Sequence, residues 1–363
     1  MAKLILFAGQ SLAVEMFTYS SGTQTPHADT HMWNGSGWVA PTGDGAITYA
    51  NSLRSALQEH IYLVNAAVGG SALLNYGGDY WSNPTGAMVC NAIAQVHAAR
   101  ASVSGLQLDR VEWWQGQHEG YTGGCSAGNY YYALLTLIST LRTALGTDFR
   151  FCIWPVGKVH TGSTAPIILA QMWVANASSA AQNGIEPGPA SYDRGYRDGV
   201  HLGSAAEYLW MGIRGARNAL SYFVAKANAA DTIPHYGAGP AIESLSRHPN
   251  GQHQVMFAQV RVKNGFNIVP NTQACWTTND TTWTTGWAAA WAGGSANPPI
   301  TGAQIMGGWI KLHSSWLLNN PVWVSYQGER TADASSSIYD TNMQWGDQGQ
   351  PMLPHALESM TSN

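Results

Sequence analysis

Four short stretches, far apart in the chain, hold the residue types that ester hydrolysis needs. They are Gly9-Gln10-Ser11, Gly69-Gly70-Ser71, Gln115-Gly116-Gln117-His118-Glu119 and Asp198-Gly199-Val200-His201-Leu202. A serine hydroxyl is a weak nucleophile until a base takes its proton, and histidine is the side chain suited to that task near neutral pH. Ser11 and His201 fill these two roles. Asp198, three residues before His201, is placed to accept the Nδ1 proton and so fix the imidazole tautomer. The tetrahedral intermediate carries an oxyanion, and each donor set in advance around it can be worth about 3 kcal/mol. The backbone N–H of Ser11, a backbone N–H from the Gly69-Gly70 pair and the Gln115 side-chain amide offer three such donors. Each stretch alone has a plainer reading: a turn serine, a glycine loop, a buried amide, capping residues before a helix.

The elements between these stretches decide whether they can meet. Short apolar runs at Leu4-Ala8, Ile61-Ala66, Val111-Trp114 and Phe149-Pro155 predict strands. Segments of helical period lie near Ile47-His60, Gly86-Ala101, Asn129-Leu145, Pro166-Gln182 and Ser204-Ala225. Strand and helix in alternation specify a parallel sheet covered on both faces, and right-handed crossovers make it a three-layer α/β/α sandwich. Ligands of such sheets bind beyond the carboxyl ends of the strands. The first three stretches directly follow predicted strands, and the fourth directly precedes the last helix. All four are therefore expected on one rim.

Near Ala230 the helical periodicity stops and Gly, Pro and Asn become frequent. The segment "AIESLSRHPNGQHQVMFAQVRV" reads as two strands joined by a loop containing Asn250-Gly251, a favoured hairpin pair. We expect an α/β domain over 1–230 and an all-β module, a sandwich, over 235–363. Trp276, Trp283, Trp287 and Trp291 of that module are core residues or sugar platforms.

Composition narrows the partner. The 363 residues hold 17 Lys+Arg against 21 Asp+Glu, a formal charge of -4, with no cationic block. Neither nucleic acid nor an anionic membrane is an expected partner, since both select clustered cations. Only 10% of residues are charged, against roughly 25% in ordinary soluble domains, so polar neutral residues and aromatics must cover the surface. That suits a glycan. Cys90, Cys125, Cys152 and Cys275 form no C-x-x-C pair, and free or casually paired thiols are expected. The 12 histidines show no metal-ligand spacing, so neither metal nor cofactor is expected. No leader of basic, apolar and small residues precedes the first strand. A virion-associated or cytoplasmic protein is the expectation, a trimmed secreted one the alternative.

The four stretches, in this order, resemble the SGNH hydrolase superfamily in its sialate O-acetylesterase and carbohydrate acetylesterase branch. Its hallmarks are a Gly-Gln-Ser nucleophile motif, a Gly-Gly-Ser or Gly-Gly-Thr loop, a Gln-Gly-Glu block and a terminal Asp-x-x-His-Leu. The resemblance implies a flavodoxin-like parallel sheet, Ser11 as nucleophile, and Asp198 with His201 completing the triad. It makes Gly70 and Gln115 the oxyanion partners of the Ser11 amide, and an acetylated carbohydrate the substrate. The tail "YQGERTADASSSIYDTNMQWGDQGQPMLP" is loosely similar to the close of several sialate O-acetylesterases. Two positions depart from the pattern: Leu12 stands where Asn is usual, and Gln117 where the acid is usual. Both bear on substrate more than on reaction. His118 and Glu119 are further candidates for substrate contact, as are Trp33, Trp38 and Trp81 in the loops, with packing as the alternative for each tryptophan. A lipid esterase, or a glycan-binding phage tail protein with a vestigial site, are the competing expectations.

Overall fold

The computed structural model divides the chain into two compact units, residues 1–238 and 239–363. The structure describes residues 2–227 except 158, 160, 161, 163, 177–183, 192 and 193, and beyond 240 only residues in strands.

The first unit is α/β. Its sheet comprises β1 (Lys3–Gly9), β2 (Thr30–Trp33), β3 (Trp38–Val39), β4 (Ile61–Asn65), β5 (Leu108–Trp114), β6 (Arg150–Trp154) and β7 (Ile185–Pro187), ordered β3-β2-β4-β1-β5-β6-β7. Neighbours pair in parallel except in the edge hairpin of β2 and β3. Without that hairpin the order β4-β1-β5-β6-β7 is the 2-1-3-4-5 of doubly wound sheets. Strand order reverses between β1 and β5, which is where a ligand crevice opens.

Among the described residues seven helices accompany the sheet: α1 (Ser11–Thr18), α2 (Asp44–Leu57), α3 (Ala87–Ser102), α4 (Gln117–Thr122), α5 (Ala127–Leu145), α6 (Ala165–Asn176) and α7 (Ala205–Ala227). One group, α1, α2 and α7, packs together, while α3 and α6 pack on α5. Ile5 and Phe7 of β1 join the core of the first group. Leu4, Leu6 and Ala8 alternate to the opposite face and are equally buried. Burial on both faces explains why β1 reads as an unbroken apolar run.

Charge is also buried in this sheet. Arg110 of β5 donates to Glu112 Oε1 at 2.6 Å and to Glu186 Oε1 at 2.5 Å, and a further N–H reaches Asn218. Glu112 also accepts from the Tyr49 hydroxyl at 2.6 Å and the Trp154 indole at 2.7 Å. Buried charges persist only when paired and hydrogen-bonded in this way.

The four predicted strands and five predicted helices correspond to β1, β4, β5, β6, α2, α3, α5, α6 and α7. The end of the predicted Pro166-Gln182 helix falls on residues 177–183, outside the described residues. The β2-β3 hairpin, β7, α1 and the six-residue α4 went unread.

The second unit is described only as strands. Ala241–Asn250 and His253–Arg261 pair antiparallel, with Asn250 opposite His253. They belong to a five-stranded sheet, accompanied by sheets of three and two strands. Trp287 and Trp291 bound a strand, whereas Trp276, Trp283 and most of the tail resembling the esterases lie outside the described residues.

Candidate active site

Ser11 is positioned by the end of β1. Gly9 has φ +125°, and a Cβ there would sit 2.2 Å from the Trp114 carbonyl oxygen, so only glycine lets β1 and β5 close at this point. Gln10 then bonds through its N–H to Trp114 O at 3.0 Å and caps α1 in an extended conformation, with no side-chain cap. Its Oε1 turns away to accept from Gly116 N at 3.2 Å and His118 N at 3.3 Å. Ser11 is thus the first residue of α1, with a backbone N–H that no helical carbonyl takes up and the positive end of the helix dipole behind it.

His201 is carried on a closed loop before α7. Arg197 N bonds to His201 O at 2.9 Å and Gly203 N to Gly195 O at 2.7 Å. At the loop tip, Asp198 Oδ1 accepts from Val200 N at 3.0 Å and His201 N at 2.7 Å, the turn favoured by Asp-Gly. Asp198 Oδ2 lies 2.7 Å from His201 Nδ1, and His201 Nε2 lies 2.9 Å from Ser11 Oγ. The carboxylate fixes the tautomer: Nδ1–H donates to Asp198, leaving Nε2 to accept from the serine hydroxyl. Burial pushes the Asp198 pKa up, but the two backbone donors and His201 outweigh it and hold it at about 2. Ser11, Asp198 and His201, singled out in the sequence, stand in one hydrogen-bonded line.

A brace joins the two halves of this line. Glu15, one turn along α1 from Ser11, accepts from Arg197 Nη2 at 2.6 Å and from the Tyr208 hydroxyl. Arg197 also donates to Leu202 O at 2.8 Å and lies 5.0 Å from the Tyr19 ring centroid. Neither Glu15 nor Arg197 carried a motif in the sequence. The only signal was Glu15's helical register with Ser11.

The glycine loop lies against the same rim. Val68 N and Ser71 Oγ both donate to Gly9 O, at 3.0 and 3.1 Å. Gly70 is exposed, at φ +67°. Its carbonyl accepts from His118 Nδ1 at 2.9 Å, and its N–H has no partner among the described residues. His118 therefore shapes the loop, whatever else it touches.

Four expectations need correction. Gln115 is fully buried, and its amide N–H groups go to Glu119 Oε2 at 2.5 Å and Ser71 O at 3.3 Å, while its Oε1 accepts from Tyr130. With both N–H groups committed, it braces the loop instead of facing an oxyanion. Glu119 is likewise fully buried and accepts from Leu73 N at 2.5 Å and Leu74 N at 3.2 Å. It clamps the chain after the glycine loop and does not reach substrate. Trp81 is a core residue whose indole donates to Ser71 Oγ at 2.8 Å. Trp38 packs against Trp33 and Tyr62 and donates to Ser102 Oγ at 2.8 Å, which commits it to the edge hairpin.

The departures from the motifs are internal. Leu12 is fully buried among α1, α2 and α7. Gln117 is buried with both amide atoms unpaired among the described residues. Cys90, Cys125 and Cys152 are free, and Cys275 lies outside the described residues. Among the described residues no group of three His, Cys, Asp or Glu is arranged to hold a metal ion, and no helix is long and apolar enough to cross a membrane.

No protein-family model and no curated protein matches the chain. Solved structures do. A carbohydrate acetylesterase from Xanthomonas citri superposes with a TM-score of 0.65 at 17% identity, over 97% of this chain and 79% of that one. A protein from Arabidopsis thaliana gives 0.50 at 16%, over 61% of this chain and 99% of that one. The chain therefore shares its fold with a carbohydrate acetylesterase, the fold that its four motifs implied.

Proposed function

We propose that this protein is a serine esterase that removes O-acetyl groups from a carbohydrate through an acetyl-enzyme. The observation that carries the proposal is the unbroken line from Ser11 Oγ to His201 at 2.9 Å and from His201 to Asp198 at 2.7 Å. It sits where strand order reverses, the position at which such sheets bind ligands.

In the proposed course, His201 Nε2 takes the Ser11 proton as Oγ attacks the acetyl carbonyl carbon. The resulting oxyanion is met by the Ser11 and Gly70 N–H groups, with Gln115 acting only through the loop that it braces. Asp198 stabilises the imidazolium. Collapse breaks the bond to the sugar oxygen, which leaves with the proton from His201. Water then gives a proton to His201 and attacks the acetyl group, and acetate departs as Ser11 Oγ regains the proton.

The substrate half of the proposal draws on the fold shared with a carbohydrate acetylesterase and on a chain of few charges and many amides and tryptophans. Two measurements test it: initial rates on acetyl, butyryl and octanoyl 4-nitrophenyl esters, and acetate release from O-acetylated glycans. The acetyl ester should be fastest. A preference for octanoyl would instead indicate a lipid esterase.

A further inference from the structure

A second polar feature occupies the same rim. A cleft of about 570 Å³ lies between α1, the end of β2, the end of β4 and α3, within the size range of small-ligand sites. Its floor includes Asn65, the last residue of β4, and Trp33, the last residue of β2. Both strands run parallel to β1 and end on its side of the sheet, so the cleft opens on the rim that carries Ser11. One wall is a single face of α3, where Asn91, Ala94, Gln95 and Ala98 recur at helical spacing. The two alanines leave a notch. The amides of Asn91 and Gln95 flank it, and neither has a hydrogen-bond partner among the described residues. Trp33 is 7% exposed, and its indole nitrogen is also unpaired among the described residues.

The chemistry of the lining selects its occupant. Among the described residues no charged side chain lines the cleft, so none of them there attracts a phosphate, a carboxylate or a cation. Amides both donate and accept, and hydroxyl groups need both. The two alanines and the small exposed part of Trp33 add apolar surface between the amides. Neutral sugar rings present this pattern of hydroxyls around apolar faces. A path joins the cleft to the serine: Ser11, Val14, Glu15 and Thr18 form the accessible face of α1, and Thr18 is itself in the cleft lining. Thr18 lies seven helical steps beyond Ser11, about 10 Å along the axis.

We propose that this cleft is a glycan subsite that holds neutral sugar units neighbouring the acetylated one at Ser11. The inference rests on the esterase proposal and adds to it that the substrate is an oligomer or polymer, neutral next to the ester.

The test uses the full-length protein with two exposed-face variants, Asn91→Ala/Gln95→Ala and Ala94→Trp. The probes are O-acetylated xylo-, cello- and manno-oligosaccharides, with 4-nitrophenyl acetate as the small ester. Each variant should lose about tenfold or more in kcat/KM on an oligosaccharide, mainly through KM, the scale expected from two hydrogen bonds. Rates on 4-nitrophenyl acetate should stay within about twofold of wild type, since that ester is too small to reach α3. Unchanged rates on every oligosaccharide would overturn the subsite. So would a parallel loss on both substrate types, or a wild-type protein that cleaves 4-nitrophenyl acetate but frees no acetate from any of the oligosaccharides. Failure of the esterase proposal looks different: a wild-type protein inert on 4-nitrophenyl acetate as well, or a Ser11→Ala variant that retains turnover, removes that proposal and the subsite with it.

Discussion

Asp198 holds its charge because two backbone N–H groups and the imidazole all point at it. Its pKa of about 2 lies below the ordinary carboxylate value near 4. Ionised Asp198 therefore adds stability that is complete above about pH 4 and is lost as pH falls towards 2, modestly because the side chain is half exposed. The pH profile of kcat/KM should accordingly show no inflection from this residue near pH 4, and such an inflection would contradict the arrangement. Asp198→Asn should lower kcat by about 10³-fold or more, since an amide no longer enforces the tautomer. Glu119 makes a different prediction. Glu119→Ala leaves Leu73 N, Leu74 N and the Gln115 amide without their acceptor, so urea titration should register a loss of about 2 kcal/mol or more. The convergence of Ser11, Asp198 and His201 was legible in the sequence because these residue types have few other joint uses. The roles of Gln115 and Glu119 were not, since a polar residue in a rim loop looks the same whether it faces solvent or turns inward to brace the backbone.

Ser11 sits on a helix and His201 on a loop, and Glu15 with Arg197 ties the two together. Glu15→Gln should cut kcat about tenfold by loosening this alignment, with KM and the melting temperature nearly unchanged, because a partly exposed pair adds little to stability. Arg197→Lys should retain part of the rate by keeping the charge while losing the fork that reaches Glu15 and Leu202 together. A fall in melting temperature that matched the fall in rate would argue for a merely structural role. At β1, Gly9→Ala forces a Cβ into the Trp114 carbonyl and should prevent accumulation of folded protein. The strands found in advance are those buried on both faces, where the apolar run is continuous. The β2-β3 hairpin mixes Thr30, His31 and Met32 with tryptophans at a sheet edge, and β7 is three residues ending in Pro187. Neither carries a periodic signal that sequence can offer.

At the level of the whole chain, a charge of -4 spread over few ionised residues makes long-range steering weak. The rate on neutral 4-nitrophenyl acetate should change less than about twofold between roughly 50 and 500 mM salt. The change of texture near Ala230 falls close to the division between units at residues 238 and 239, because the loss of helical periodicity is a property of composition. What it could not supply is the cleft beside α3, which exists only once α1, β2, β4 and α3 meet. The central claim concerns one hydroxyl: that Ser11 is activated by His201 and Asp198. Treating the full-length protein with a fluorophosphonate and measuring intact and peptide masses tests it most directly. The account predicts one adduct, on the peptide carrying Ser11, together with loss of esterase activity, and no adduct in Ser11→Ala. A wild-type protein that hydrolyses acetyl esters while Ser11 remains unlabelled would contradict it.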